Sequence, residues 1–210
     1  MLHRSIFILL VVGTAFVASE FNYVTCGSVL KLKNGAEAIR LHSHEVKYGS
    51  GSGQQSVTGT PSEDDVNSHW QVVGVAAEQC SRGTPVKCGQ QVRLYHLSTQ
   101  CYLHSHDVQS PLSKQQEVSC FGKDGTGDSG DNWEVVCDES YWEREAEVTF
   151  KHVVTEKYLA NSGSQYGRPI EGQREIVGTR SITRNTRWVG VEGVYMGMKT
   201  PSNKQTKEEL

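Results

Sequence analysis

The sequence predicts an all-β fold with internal threefold repetition, and three observations predict it. Tryptophan opens three similar runs: Trp70-Gln71-Val72-Val73, Trp133-Glu134-Val135-Val136 and Trp188-Val189-Gly190-Val191. Short stretches alternate apolar and polar residues between turn-forming Gly, Ser, Pro and Asn, the mark of half-buried strands. Helical periodicity is absent beyond the N-terminal leader. About four short strands per unit, taken three times, gives roughly twelve.

The elements follow in order. His3 and Arg4 precede an apolar run over residues 6–17, and Val17-Ala18-Ser19 supplies the small residues of a cleavage site. The expectation is a signal peptide over residues 1–19. The run is shorter than the ~20 residues that span a bilayer, and no later stretch approaches that length, so no membrane insertion is expected. A compact domain is expected over 20–200, with units at about 20–77, 82–139 and 142–194. The first two units open on Cys26-Gly27-Ser28-Val29-Leu30-Lys31-Leu32 and Cys88-Gly89-Gln90-Gln91-Val92-Arg93-Leu94. The third opens on the weaker copy Ala146-Glu147-Val148-Thr149-Phe150-Lys151-His152. Second strands are expected at Leu41, Leu103 and Leu159, and third strands at Val57, Val118 and Ile176, fifteen to seventeen residues beyond each Leu. A unit that cannot bury its apolar face alone packs on its copies. Closing three such hairpins over a barrel also removes free strand edges, which gives the β-trefoil. A β-sandwich offers no reason for a three-copy pattern. The tail, 201–210, ends in Lys207-Glu208-Glu209-Leu210, close to the Lys-Asp-Glu-Leu retrieval signal of the endoplasmic reticulum lumen.

Composition narrows function. The net charge is −3 with no basic stripe, which speaks against nucleic acid. Six Cys without a Cys-x-x-Cys pair fit an oxidising compartment and argue against a thiol oxidoreductase or zinc ribbon. Their count alone allows fifteen connectivities. No Asn-x-Ser/Thr sequon is present.

Leu41-His42-Ser43-His44, the stretch Tyr48-Gly49-Ser50-Gly51-Ser52-Gly53-Gln54-Gln55-Ser56-Val57, and Gln165-Tyr166-Gly167-Arg168-Pro169-Ile170 resemble the stromal cell-derived factor 2 family, as does Arg82-Gly83-Thr84-Pro85 before Lys87-Cys88-Gly89-Gln90. The resemblance covers essentially the whole mature chain. It implies three MIR motifs, the module named for mannosyltransferases and the inositol-trisphosphate and ryanodine receptors, folded as a β-trefoil. It also implies a non-enzymatic lumenal protein associated with a J-domain co-chaperone and binding immunoglobulin protein, and through them with misfolded clients. Cys101 and Cys120 depart from the family pattern.

Leu-His-Ser-His occurs twice, at His42/His44 and His104/His106, each followed by a Gln pair, Gln54-Gln55 and Gln115-Gln116. Neutral imidazoles can ligate zinc. Taking each His pair as alternating along a strand puts its rings on opposite faces, and the two pairs lie in different lobes, so no metal or cofactor is expected. Their polar groups either shape the hairpins or line a shallow pocket in the first two lobes, with Ala160-Asn161-Ser162 replacing them in the third. Glu63, Asp64 and Asp65 are expected as a solvated run, and Gly49 to Gly53 as a flexible loop. No Gly-x-Ser-x-Gly, His-Glu-x-x-His or phosphate loop is present. Two readings remain: a chaperone adaptor meeting partners through exposed Arg40, Arg168 and the hairpins around Tyr48 and Tyr166, or a lectin-like module binding mannose or O-mannosylated proteins. Trp142, Tyr141, Tyr166 and Tyr195 are the candidate sugar-facing rings. If first and last strands of a lobe lie side by side, Cys26–Cys80 and Cys88–Cys137 pair, with Cys101–Cys120 across the middle hairpin of unit two. Cys80–Cys88 is the competitor.

Overall fold

The structure, a computed structural model, describes residues 22–76 and 80–197. The leader expected over residues 1–19 and the tail expected over 201–210 lie outside them. Among the described residues are β1 (Val29–Asn34), β2 (Arg40–Lys47), β3 (Gln55–Thr60), β4 (Trp70–Gly74), β5 (Gln91–His96) and β6 (Cys101–Gln109). β7 (Gln116–Phe121), β8 (Trp133–Val136), β9 (Glu147–His152), β10 (Tyr158–Gln165), β11 (Arg174–Thr179) and β12 (Trp188–Val194) complete the set. β1, β4, β5, β8, β9 and β12 pair around a closed ring. The hairpins β2–β3, β6–β7 and β10–β11 cap it, and β3, β7 and β11 pair with one another in a triangle. This is the β-trefoil, and every strand finds a partner on the sheet.

Threefold equivalence reaches the hydrogen bonds of the core. Trp70, Trp133 and Trp188 are fully buried, and their indole N–H groups donate to the carbonyls of Leu41, Leu103 and Leu159 at 2.8, 2.9 and 2.9 Å. Each Trp thereby ties its lobe's fourth strand to the second and satisfies the one polar atom of a large apolar ring. Leu32, Leu94 and Phe150 occupy matching core positions, all without exposure.

The repeated Gln pair closes the lobes on one another. Gln55 Nε2 donates to Ser43 Oγ at 2.8 Å within its lobe and to Thr99 Oγ1 at 2.7 Å across the first seam. Gln116 Nε2 does the same to Ser105 at 2.7 Å and to Thr155 at 2.7 Å across the second. The third lobe has Arg174 at this position, and it pairs with Glu37 of the first lobe at 2.8 Å. The ring of contacts therefore closes. In two of the three lobes the preceding residue joins in: Ser119 donates to Gln54 at 2.5 Å, and Thr58 donates to Gln173.

Cys26–Cys80, Cys88–Cys137 and Cys101–Cys120 are bonded, and Cys80–Cys88 is not. The first two tie the segment before a lobe's first strand to the segment after its last. The third joins paired strands β6 and β7.

Gln116→Ala leaves the hydroxyls of buried Ser105 and half-buried Thr155 without their shared donor and should destabilise the protein by about 1–3 kcal/mol. Urea unfolding checks this, and an unchanged midpoint would show that the seam bond contributes nothing.

Candidate functional site

The two Leu-His-Ser-His stretches lie on β2 and β6. Residues i and i+2 of a strand share a face, so the expectation of opposite faces is corrected. His42 Nε2 meets His44 Nδ1 at 2.9 Å, and His104 Nε2 meets His106 Nδ1 at 3.1 Å. Ser43 and Ser105 point the other way, and their hydroxyls donate to the carbonyls of Ser56 and Glu117 at 2.8 and 2.7 Å.

Each His pair recruits a carboxylate from the 3-10 turn before its lobe's Trp. His42 Nδ1 lies 2.8 Å from Asp65 Oδ2, which also accepts from Ser68 Oγ at 2.5 Å. His104 Nδ1 lies 2.9 Å from Asp131 Oδ1 and 3.6 Å from Asp128. The ligand atoms of His104, Asp128 and Asp131 fall within 4.8 Å of one another, close enough to surround a cation, but hydrogen bonds already join His104 to Asp131. Gly130 is required here because a Cβ would stand 2.4 Å from His104 Cε1. In the second lobe the chain continues, since His106 Nε2 reaches buried Glu117 at 3.3 Å. Asp131–His104–His106–Glu117 is thus a continuous carboxylate–imidazole relay. The third lobe has Ala160, Ser162, Thr183 and Thr186 at the corresponding places and no relay.

Burial sets the electrostatics. His44 is pushed below its ordinary pKa by burial and then by the neighbouring His42. Burial raises Asp65, but hydrogen bonds from Ser68 and His42 outweigh it and hold the carboxyl below its ordinary value. His96, under the Trp70 ring at 4.7 Å between centroids, is held neutral by burial, with a pKa of about 4. It bonds Thr99 at 2.7 Å and the Asn67 carbonyl at 2.8 Å. His152 repeats this with Thr155 and Gly130, and Asn34 takes the position in the first lobe.

Several candidates move from surface to interior. Arg40 is 3% exposed, and its guanidinium pairs with Glu192 at 2.5 Å and Glu63 at 3.1 Å. Lys31 joins Glu192 at 3.0 Å. Arg40 is therefore held inside by charge; of the acidic run, Glu63 stays largely exposed while pairing with it, and half-buried Asp65 is bound to His42 and Ser68. Tyr48 and Tyr166 are buried with Ile170 beneath the hairpin loops, where the Tyr48 hydroxyl reaches the Val57 and Val118 carbonyls at 2.9 Å each. Burial raises both phenols' pKa values. The Gly49–Gly53 loop is anchored: Ser52 N–H donates to Glu117 at 3.2 Å, and its hydroxyl donates there too. Gly51, with φ +74°, passes so close that a Cβ would overlap that carboxylate. Leu112 and Ser113 likewise donate to buried Glu175 at 2.8 and 3.1 Å. Trp142 is core, Tyr141 packs on Tyr23, and Tyr195 lies under the Arg144 guanidinium at 3.9 Å. Arg168 remains exposed.

What stays open is a set of grooves. A depression of about 380 Å³ beside His104, His106 and Asp128 is rimmed by Phe121 and Val154. Its counterpart in the third lobe, about 330 Å³, is lined by Asn161, Thr183 and Asn185. Sequence reasoning missed Asp131, Glu117 and Glu175. A signal for the first was present, because acids stand two to five residues before Trp70 and Trp133 but not before Trp188.

The MIR domain family matches residues 22–149. Stromal cell-derived factor 2 of Homo sapiens is 54% identical over 183 residues, 87% of each chain. The crystal structure of the SDF2-like protein from Arabidopsis thaliana superposes with TM-score 0.82 at 41% identity, covering 85% of this chain and 99% of that one. A chain of the S. cerevisiae protein O-mannosyltransferase Pmt1-Pmt2 complex bound to the sugar donor superposes at TM-score 0.75 and 26% identity. That likeness covers 87% of this chain and 28% of the yeast chain.

Two outcomes follow. As pH falls from 6.5 towards 4, unfolded His96 binds a proton that the folded ring refuses, so stability present above 6.5 is lost through that window. His96→Asn, which copies Asn34, should flatten urea stability between pH 7 and pH 5 relative to the parent; an equally steep variant would contradict the neutral, buried ring. Arg40→Glu should cost about 2 kcal/mol or more, because it places a third carboxylate between Glu63 and Glu192. A thermal midpoint within a degree or two of the parent's would return Arg40 to the surface.

Proposed function

Because the chain belongs to the stromal cell-derived factor 2 family, we propose that it is a non-catalytic adaptor of a lumenal chaperone assembly. In this reading it is made with a cleaved leader and kept in the endoplasmic reticulum by Lys207, Glu208, Glu209 and Leu210. It joins a J-domain co-chaperone and binding immunoglobulin protein and, through them, misfolded chains. The observation that carries the reading is the family membership, at 54% identity over 87% of the chain. The structural role of the two His pairs is in keeping with it, since each joins a strand of its hairpin to the turn before Trp70 or Trp133. A closed sheet offers partners its loops and grooves rather than a free edge.

A mannose-binding reading rests on a different observation. The depression beside His104, His106 and Asp128 combines polar groups with the part-exposed Phe121 ring, a composition suited to a sugar face.

Capture from lumenal extract separates the two. Chaperones recovered equally with and without free mannose are the expected result; glycoproteins released by mannose would overturn the adaptor. Arg168→Glu should weaken capture of the co-chaperone while changing stability by less than about 0.5 kcal/mol. Removing residues 207–210 should send the protein into the medium of secreting cells, and unchanged retention would show that binding to residents suffices.

A further inference from the structure

The three seams between lobes each hold a groove, and the second carries the largest excess of cations. The groove of the first seam, about 420 Å³, is floored by the Cys101–Cys120 bond and carries Lys47 and Lys123 against Glu45. That of the third, about 290 Å³, has Glu37 and Arg174 paired across it. The second, about 510 Å³, is lined by Lys114, Lys157 and Arg180, with Asp107 the one carboxylate on its wall. Lys114 Nζ donates to the Pro111 carbonyl at 3.0 Å, and among the described residues none of the three cations has a carboxylate partner.

Lys114 carries a second signal. It precedes the Gln pair partner at the position held by Gly53 and Gly172 in the other lobes, and all three are left-handed, with φ of 61°, 70° and 85°. Glycine takes this conformation freely, whereas a side chain is disfavoured there. The second lobe thus accepts a strained residue where its sister lobes use glycine, and the side chain gained is a cation on the rim of the cationic groove. Strain of this kind, at a site where the fold has a cheaper solution, points to a use.

We propose that the second-seam groove binds an acidic peptide segment, an extended stretch bearing Asp or Glu. Three unpaired cations supply charge attraction, and the amides of Gln109 and Gln115 offer donors and acceptors to a peptide backbone. The lining contains no aromatic ring for a neutral sugar. It is also built on hairpin loops and strands rather than the N-terminus of a helix, where phosphate is held. The inference stands on the groove alone and does not require the chaperone reading.

Fluorescence anisotropy of a labelled Asp/Glu-rich octapeptide, with Asn/Gln and Lys versions as controls, tests it on the full mature chain. The acidic peptide should bind and the two controls should not. Lys114→Gly, Lys157→Gln and Arg180→Gln should each weaken binding by about two- to five-fold at low ionic strength, and the triple variant by about ten-fold or more. Lys114→Gly should hold or raise the unfolding midpoint, since it restores the residue the other lobes use, so its loss of binding is not misfolding. Lys47→Gln, at the first seam, should bind like the parent. Equal binding by the triple variant, equal loss in Lys47→Gln, or displacement of the peptide by inorganic phosphate at matched charge would each overturn the proposal.

Discussion

Closure of three lobes on one another is the constraint on which the rest of this molecule depends. A single lobe is four short strands with one apolar face, too small to bury its own core. The barrel becomes a core only when each lobe meets two others. The polar bonds Gln55–Thr99 and Gln116–Thr155 and the ion pair Arg174–Glu37 fix the three seams at matching places. They do so where the hairpin cap meets the barrel. There Glu37, Thr99 and Thr155 of the β1–β2, β5–β6 and β9–β10 turns supply the partners. A motif repeated in a sequence is readily taken for a ligand site; here its Ser braces each hairpin and its Gln holds one copy to the next.

The same economy explains the His relays. His42 and His104 stand at the base of the hairpins, facing the turn that leads into Trp70 and Trp133. Each imidazole gives that turn's carboxylate a partner inside the protein, and the second lobe extends the chain to Glu117, which in turn holds the loop of the first. Buried charge is costly unless paired and hydrogen-bonded, and these networks meet that condition from several elements at once. The third lobe, with Thr183 and Thr186 capping its turn, solves the same problem without charge.

Much of the fold was legible in the sequence. Trp spacing, alternating runs and turn residues pointed to about twelve strands; adjacency of first and last strands pointed to two disulfides, and the middle hairpin of the second lobe to the third. What escaped lies in pairs distant along the chain. Arg40 looks like a surface charge until β12 brings Glu192 beside it, and Tyr48 looks like a loop residue until Tyr166 and Ile170 meet it under the cap. The His pairs were misjudged for a local reason, the parity of a strand, which places alternate rather than adjacent residues on one face. Lys114 was invisible because a left-handed backbone is not written in a lysine; only its alignment with Gly53 and Gly172 exposes it.

Native-state hydrogen exchange tests most directly whether the seams make the three lobes one cooperative unit. The amides of β3, β7 and β11 in the cap and those of β4, β8 and β12 in the barrel should exchange with a common free energy equal to that of global unfolding. Lobe-by-lobe opening, with one hairpin and its barrel strands exchanging well below the others, would contradict an account in which polar seams close the fold.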